Sequence, residues 1–345
     1  MATHAVPRHT HHAPPVHEPP AAIRATGIVV VLTVVVAVIA IAFALPAVRS
    51  KPHDVPIGAA GPQAAGSGLG SPLGGRGVEA ILEKQAPGAF AVTYYPGESA
   101  LRDAILNRDV YGGFSLGQDG PEVLVATGGS PMVAQMLTQI GNGISQQTGM
   151  QVRSEDLAPP TADDSRGVGL AASALPITLA GMLPAIALML LLKREVWTRF
   201  TAAVVFAGMA GVTIAALLRY VFGAIDQNIF GVAAGLTLGI LAAGLTMLGL
   251  GSLFGRVGLA LGALLALLVG NPLSGLNSAP EMLPSGWGEL GQWLPQGATA
   301  TLLRSTAFFG GAGSIMQILV LTCWALAGTV LIIFAAIRQR ATATA

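Results

Sequence analysis

The chain has 345 residues, 52% of them apolar and 10% charged, with a formal net charge of +1 and a mean hydropathy of +0.66. That balance describes a chain whose surface faces lipid, and it leaves no basic excess for binding nucleic acid. Cys323 is the single cysteine, so an intramolecular disulfide is excluded.

Residues 1–24 are rich in His, Pro and Ala, lack apolar periodicity and read as a disordered cytoplasmic tail. His4, His9, His11, His12 and His17 could be taken for a metal site, but no Cys or carboxylate cluster accompanies them. Residues 27–45 are charge-free and long enough to span a bilayer, giving transmembrane helix one within 25–46. The run is too long for a signal-peptide core, and Leu45-Pro46-Ala47-Val48-Arg49 is a poor cleavage site, so it reads as a retained anchor.

Residues 47–169 read as an extracytoplasmic mixed α/β domain. Strands are expected at 55–59, 90–95, 110–116 and 123–127, the last two joined by the Gln118-Asp119-Gly120 turn. Helices are expected at 78–85, from Ser99 as cap to Asn107, and from Ser130-Pro131 to about Gln147. The glycine-rich stretch 58–77, with Gly66, Gly68 and Gly70, is a loop; no phosphate-loop motif with its Lys-Ser/Thr is present.

Residues 170–338 form a membrane domain with five further spans, at 170–192, 200–220, 230–250, 257–269 and 313–337, followed by a short cytoplasmic tail at 339–345. The fold class is therefore a polytopic α-helical membrane protein of six transmembrane helices, with the α/β domain between helices one and two. With the N-terminus inside, the cytoplasmic pieces carry Arg8, Arg24, Lys193, Arg194, Arg199, Arg256, Arg338 and Arg340 against Glu18 and Glu195. The short outer loops carry Asp226, Glu281 and Glu289 against Arg304. The positive-inside rule then sets both termini in the cytoplasm of a multi-pass cell-membrane protein.

The spans hold no Asp, Glu or His at mid-depth, which argues against ion-gradient coupling. Arg219 stands at the outer end of span three, where it can snorkel or pair with Asp226 as a charged rim. Gly231, Gly235 and Gly239, then Gly258 and Gly262, make small-residue ladders for helix packing, within the chain or in a homodimer. Pro176 and Pro184 are expected to bend span two. The fifth run is short and leads into a Gly/Pro-rich apolar stretch at about 270–309. That stretch reads as a re-entrant outer segment or, in the plainer view, a surface loop with interfacial Trp287 and Trp293. Gly270, Asn271, Pro272, Pro280, Pro284 and Pro295 would shape such an outer gate. Lys193, Arg194, Glu195 and Arg199 are the available contact for an ATPase, and serve equally as topology signals.

Asn271-Pro272-Leu273-Ser274-Gly275, Pro280-Glu281-Met282-Leu283-Pro284, Leu290-Gly291-Gln292-Trp293-Leu294-Pro295 and Leu303-Arg304-Ser305 resemble the last-outer-loop signature of ABC type-2 permeases. More narrowly, they resemble the actinobacterial branch related to phage-infection-protein-like membrane proteins, and residues 98–116 are similar to the segment after span one in that family. The resemblance implies six spans, a large domain between spans one and two, a homodimer, and export driven by a separate ATP-binding subunit. The chain departs from the family in lacking an amphipathic helix before span one and in the brevity of its first cytoplasmic loop, 193–200. Two functions follow: a permease-like exporter subunit for a lipophilic or envelope-directed substrate, or a non-transporting envelope protein whose outer domain binds a partner. No Ser/His, paired-Asp or His-Glu-x-x-His arrangement within the spans supports an enzyme, and no cofactor is implied.

Overall fold

The computed structural model describes residues 20–61, 75–117, 120–165, 167–192, 195–276 and 278–343. The histidine tail, the run at Gly66, Gly68 and Gly70, Gln118, Asp119, Lys193 and Arg194 lie outside the described residues. The chain forms two compact units, 1–41 and 42–345. The first holds most of helix α1 (Ala21–Val48), whose side chains are exposed throughout 21–41. A helix apolar on every side is suited to a lipid surround.

Five helices are long and apolar enough to cross a membrane: Ala21–Pro46, Gly169–Leu191, Val196–Tyr220, Ile229–Gly270 and Ile315–Ala341. They mark the chain as a membrane protein, and none of them carries an Asp, Glu or His.

In the second unit, residues 55–156 build an α/β domain in the order β1 (Val55–Ala60), α2 (Gly75–Gln85), β2 (Phe90–Tyr95), α3 (Glu98–Leu106), β3 (Gly112–Gly117), β4 (Gly120–Val125), α4 (Pro131–Thr148) and β5 (Arg153–Asp156). The sheet order is β2-β1-β3-β4-β5, parallel except for the β3–β4 hairpin, whose register runs from Gly112↔Val125 to Gly117↔Gly120. Strand alternation decides the layers. Val55, Ile57, Phe114, Val123 and Val125 pack with Leu82 of α2 and Val133, Leu137 and Ile144 of α4. Ala60 and Leu124 turn the other way, against Leu101 and Ile105 of α3. Ser130 caps α4 by accepting from the Val133 amide (3.4 Å), with Pro131 at the first helical position. The expected cap at Ser99 is corrected: the cap lies two residues earlier, at Gly97, which is extended and makes no side-chain bond, and α3 begins at Glu98. β5, Arg-Ser-Glu-Asp, was not expected from sequence; it is a polar edge strand with no apolar alternation to announce it.

The membrane helices follow as α5 (Gly169–Ala172), α6 (Ala174–Leu191), α7 (Val196–Tyr220), α8 (Ile229–Leu264), a π-helical turn (Leu265–Gly270), a 3₁₀ turn (Pro280–Met282), α9 (Trp287–Gln292), α10 (Pro295–Phe308) and α11 (Ile315–Ala343). Helix α8 is the hub. A Cβ at Gly181 of α6 would meet Ala243 at 2.7 Å, one at Gly211 of α7 the Thr237 amide at 2.8 Å, and one at Gly249 the carbonyl of Gly328 in α11 at 2.8 Å. Each glycine lets a neighbouring backbone approach α8 closely.

Helix α8 is broken at Gly255, whose φ of 62° and ψ of −137° are not helical. Beyond it the chain folds back, because a Cβ at Gly262 would lie 2.7 Å from the Met247 sulfur and one at Gly251 2.6 Å from Leu259. In a continuous helix Met247 and Gly262 would be about 22 Å apart. Residues 229–254 and 256–270 are thus the two limbs of a helical hairpin, and the sequence reading of separate runs at 230–250 and 257–269 corresponds to those limbs. Gly258 and Gly262 line the seam, where a Cβ on Gly258 would collide with the Leu250 carbonyl.

The ladder on the first limb faces α10. A Cβ on Gly235 would sit 3.2 Å from Leu302, and one on Gly239 would overlap Thr299. Gly231 lies on the side chain of its own cap residue, Asn228, which accepts from the Gly231 amide (3.1 Å) and donates to the Thr306 carbonyl (3.0 Å). Gly235 and Gly239 are thus packed against α10 of the same chain. A Gly239→Leu substitution is expected to cost about 1–3 kcal/mol by overpacking. It should lower the thermal midpoint followed by tryptophan fluorescence in detergent, whereas Gly208→Ala, with nothing within 4 Å of its Cβ, should leave it unchanged.

Candidate functional site

Helix α10 has 14 residues, so it is about 21 Å long, too short for a hydrocarbon core of about 30 Å. It is buried on all sides, with Ala298, Thr299, Leu302, Leu303, Arg304 and Ser305 each at most 6% exposed. Its start lies level with Gly239, ten residues down α8, and its end level with Asn228 at the head of α8. It therefore runs antiparallel to α8 from mid-depth to the end of the bundle that carries the α/β domain.

Two arginines hold it there, both through main-chain carbonyls. Arg304 donates to the carbonyls of Gly275 (2.8 Å) and Leu276 (2.6 Å), fixing the irregular segment that precedes α9. Gly275 needs a glycine's freedom at its φ of 69° to turn its carbonyl there. Arg108, from the turn after α3, donates to the Thr301 carbonyl (3.0 Å) and the Ser305 hydroxyl, with its guanidinium 5.3 Å from the Phe309 ring centre. Beside it the Tyr111 hydroxyl donates to Glu281 (2.9 Å), and the Glu281 carbonyl accepts from the His53 amide (3.2 Å). Burial pushes the Tyr111 phenol up, with the Glu281 carboxylate adding to the effect, so the hydroxyl stays protonated and donating. Burial pulls Arg108 down from the usual guanidinium range, partly offset by the Glu281 carboxylate.

The same region completes the α/β domain. Ala279 and Met282 belong to the apolar layer under α2 and α4, and Phe308 and Phe309 pack on the α3 side. Phe308 presses on Gly128, where a Cβ would collide with its Cγ and lie 2.8 Å from its Cδ1. The domain is therefore finished by membrane-half residues on both faces of its sheet.

Between α6, α8 and α10 lies an inner pocket of ≈ 20 Å³, lined in part by Thr178, Gly239, Asn271, Gln296 and Thr299. A larger crevice of ≈ 250 Å³ opens beside it, lined by Phe43, Pro46, Ala171, Leu175, Pro272 and Leu283 among others. Ala174 and Asn271 line both, so pocket and crevice lie side by side and are together called the path. No charged side chain lines either part.

Of the residues expected to shape a gate, Asn271, Pro272 and Pro295 line this path. Gly270 packs against Gln296. Pro280 opens the 3₁₀ turn and covers Gly275, while Pro284 accepts from the Trp287 amide (2.9 Å); neither faces the path. Trp287 and Trp293 are exposed, and the Trp293 carbonyl accepts from the Trp324 indole (2.8 Å). The Arg219–Asp226 rim pair is corrected. The Arg219 guanidinium donates to the carbonyl of Ile225 (3.2 Å), a nearer acceptor at the frayed end of α7, and Asp226 is exposed without an ion pair to it. Arg199 is corrected as an ATPase contact: it is 1% exposed, folded against Met189, and Glu195 alone of the described members of that group faces outward. Among the described residues no group of three His, Cys, Asp or Glu could hold a metal.

Arg108, Tyr111, Thr178, Gln296 and Thr299 were not singled out from sequence. Only a spacing argument across more than a hundred residues could have joined them. Comparison with family models, curated proteins and solved structures finds no match.

Replacing Arg108 by Met removes two charge-assisted bonds, worth about 1.5–3 kcal/mol each. Amide exchange across 295–308 and 112–117 is expected to quicken in that variant, while 315–337, on the far side of α8, keeps wild-type protection.

Proposed function

We propose that the chain is the permease-like membrane subunit of an ABC type-2 exporter that moves a lipophilic or envelope-directed substrate outward. The single observation that carries this reading is a pocket and an adjoining crevice in the bundle whose lining residues are uncharged, walled by a buried helix too short to span. Helices without Asp, Glu or His offer no ligand or relay for a coupling ion, so the energy comes from a separate ATP-binding subunit. Counting the α8 hairpin as two crossings gives six spans. The charge distribution supports an orientation with both termini in the cytoplasm and the α/β domain outside, in which the path opens toward the outer leaflet. Two copies of the chain complete the exporter.

A second reading, a non-transporting envelope protein whose outer domain binds a partner, is favoured by one observation: the burial of Arg199 shrinks an already small cytoplasmic docking face. Deleting the α/β domain would not separate the two, because Ala279, Met282, Phe308 and Phe309 would lose the surface they pack on. Filling the path does. Full chain purified from its host's membranes is expected to bring an ATPase with it and, in liposomes, to move a fluorescent lipid between leaflets when ATP is added. Ala174→Trp should reduce that transfer at least tenfold with the thermal midpoint unchanged. Absence of both ATPase and transfer, with an envelope protein retained by the α/β domain, would establish the second reading instead.

A further inference from the structure

We infer that Arg199 holds the phosphate of an anionic phospholipid, at the end of the bundle away from the α/β domain. The inference stands apart from the exporter reading and shares no residue with the path.

Its first ground is a set of donors without an adequate acceptor. Arg199 is 1% exposed, and its Nε and Nη2 have no hydrogen-bond partner. Those two nitrogens form one edge of the guanidinium, the edge that takes two phosphate oxygens side by side. Nη1 donates to the Met189 sulfur, and the Ser252 hydroxyl donates to the same sulfur (3.6 Å). A thioether is a weak acceptor, so a guanidinium and a hydroxyl share one poor partner. Glu195, one turn ahead, is exposed and makes no cap bond to the first turn of α7. Arg304, also buried, is by contrast met by two carbonyls. A buried cation left unmatched is costly, and an anion with several oxygens relieves that cost.

The second ground is depth. Helix α7 runs 25 residues from Val196 to Tyr220, and just beyond it the Gly223 carbonyl accepts from Thr161, in the link from the α/β domain. Arg199 therefore lies about 30 Å from that link, across the thickness of a hydrocarbon core. Trp197 is half exposed and stands edge-on to Phe200, as aromatic rings do at headgroup level.

The third is what surrounds the cation. Leu190, Leu191, Phe254 and Val257, on the same ends of α6 and α8 as Met189 and Ser252, are exposed carbon. That surface suits acyl chains running down from the phosphate and ill suits an acidic face of a water-soluble protein. Lys193, Arg194 and Arg256 flank the site in sequence, and basic residues beside a membrane favour lipids of net negative charge. Met189, only partly buried, covers the guanidinium; its unbranched side chain can turn aside and leave its place to phosphate oxygens.

The test uses the full chain, delipidated in detergent, with bound lipids counted by native mass spectrometry. Dioleoylphosphatidylglycerol is expected to bind roughly tenfold more tightly than dioleoylphosphatidylcholine, and Arg199→Met to weaken it by at least about tenfold. Without lipid the thermal midpoint of Arg199→Met should equal or exceed that of the wild type, because the unmatched charge is gone. Phosphatidylglycerol should then raise the wild-type midpoint and leave that of the variant unchanged. Ser252→Ala removes one small hydroxyl, should weaken the lipid by roughly threefold or more, and decides the matter if Arg199→Met does not fold. Equal affinity for the two lipids, or unchanged phosphatidylglycerol binding in the variants, overturns the site. Displacement of the lipid by a tenfold excess of inorganic phosphate makes it a site for free anions and overturns the lipid assignment. Unchanged lipid binding with loss of a co-purifying ATPase in Arg199→Met makes Arg199 a docking residue and overturns it as well. Lipid binding as expected with no ATPase at all leaves this site in place and counts against the exporter alone.

Discussion

Irregular backbone inside a helical bundle must find partners for its peptide groups, and in this protein Arg304 supplies them. The stretch from Asn271 to Trp287 has one short 3₁₀ turn, and its main chain would otherwise face apolar helices with carbonyls unmet. A guanidinium in the middle of a buried helix is itself costly. Placing it against two carbonyls resolves both problems at once and nails the loop to α10. The position of α10 follows from the α8 glycines that receive Thr299 and Leu302, and the lining of the path follows from α10.

The α/β domain is tied into the same arrangement. Arg108 repeats the device of Arg304, a cation bonded to main-chain carbonyl, and sets the domain on the last turns of α10. Ala279 and Met282 on one face of the sheet, and Phe308 and Phe309 on the other, make domain and segment a single apolar core. A displacement of the domain is thereby a displacement of α10, which walls the path. In the exporter proposed above, that connection would be how the large domain acts on the path.

Much of this was legible in the sequence where one element announces itself. Phe90–Tyr95 alternates and forms the strand expected of it, and Ser130-Pro131 starts a helix for the local reasons that caps and prolines always do. The charge-free runs are the apolar helices. Helix α10 escaped because its sequence, PQGATATLLRSTAF, has small and polar residues on every side; a helix buried all round shows no apolar stripe, and its Gly, Thr and Ser look like loop. Arg199 and Arg219 were read as surface charges because sequence gives a residue's depth along a helix but not which side it faces. The ladder Gly231, Gly235 and Gly239 was visible, whereas its partner, an intramolecular helix some sixty residues on, was not.

The central claim is that α10 re-enters and leaves on the side it came from, and single-cysteine labelling tests it most directly. With Cys323 replaced by Ser, cysteines are placed one at a time at Ser285, before α9, and at Ala312, after α10, with Thr198 at the head of α7 marking the opposite side. A membrane-impermeant maleimide added to intact cells is expected to modify the 285 and 312 variants alike and to spare the 198 variant until the membrane is opened. Labelling of 285 and 312 from opposite sides would make α10 a crossing helix and contradict the account.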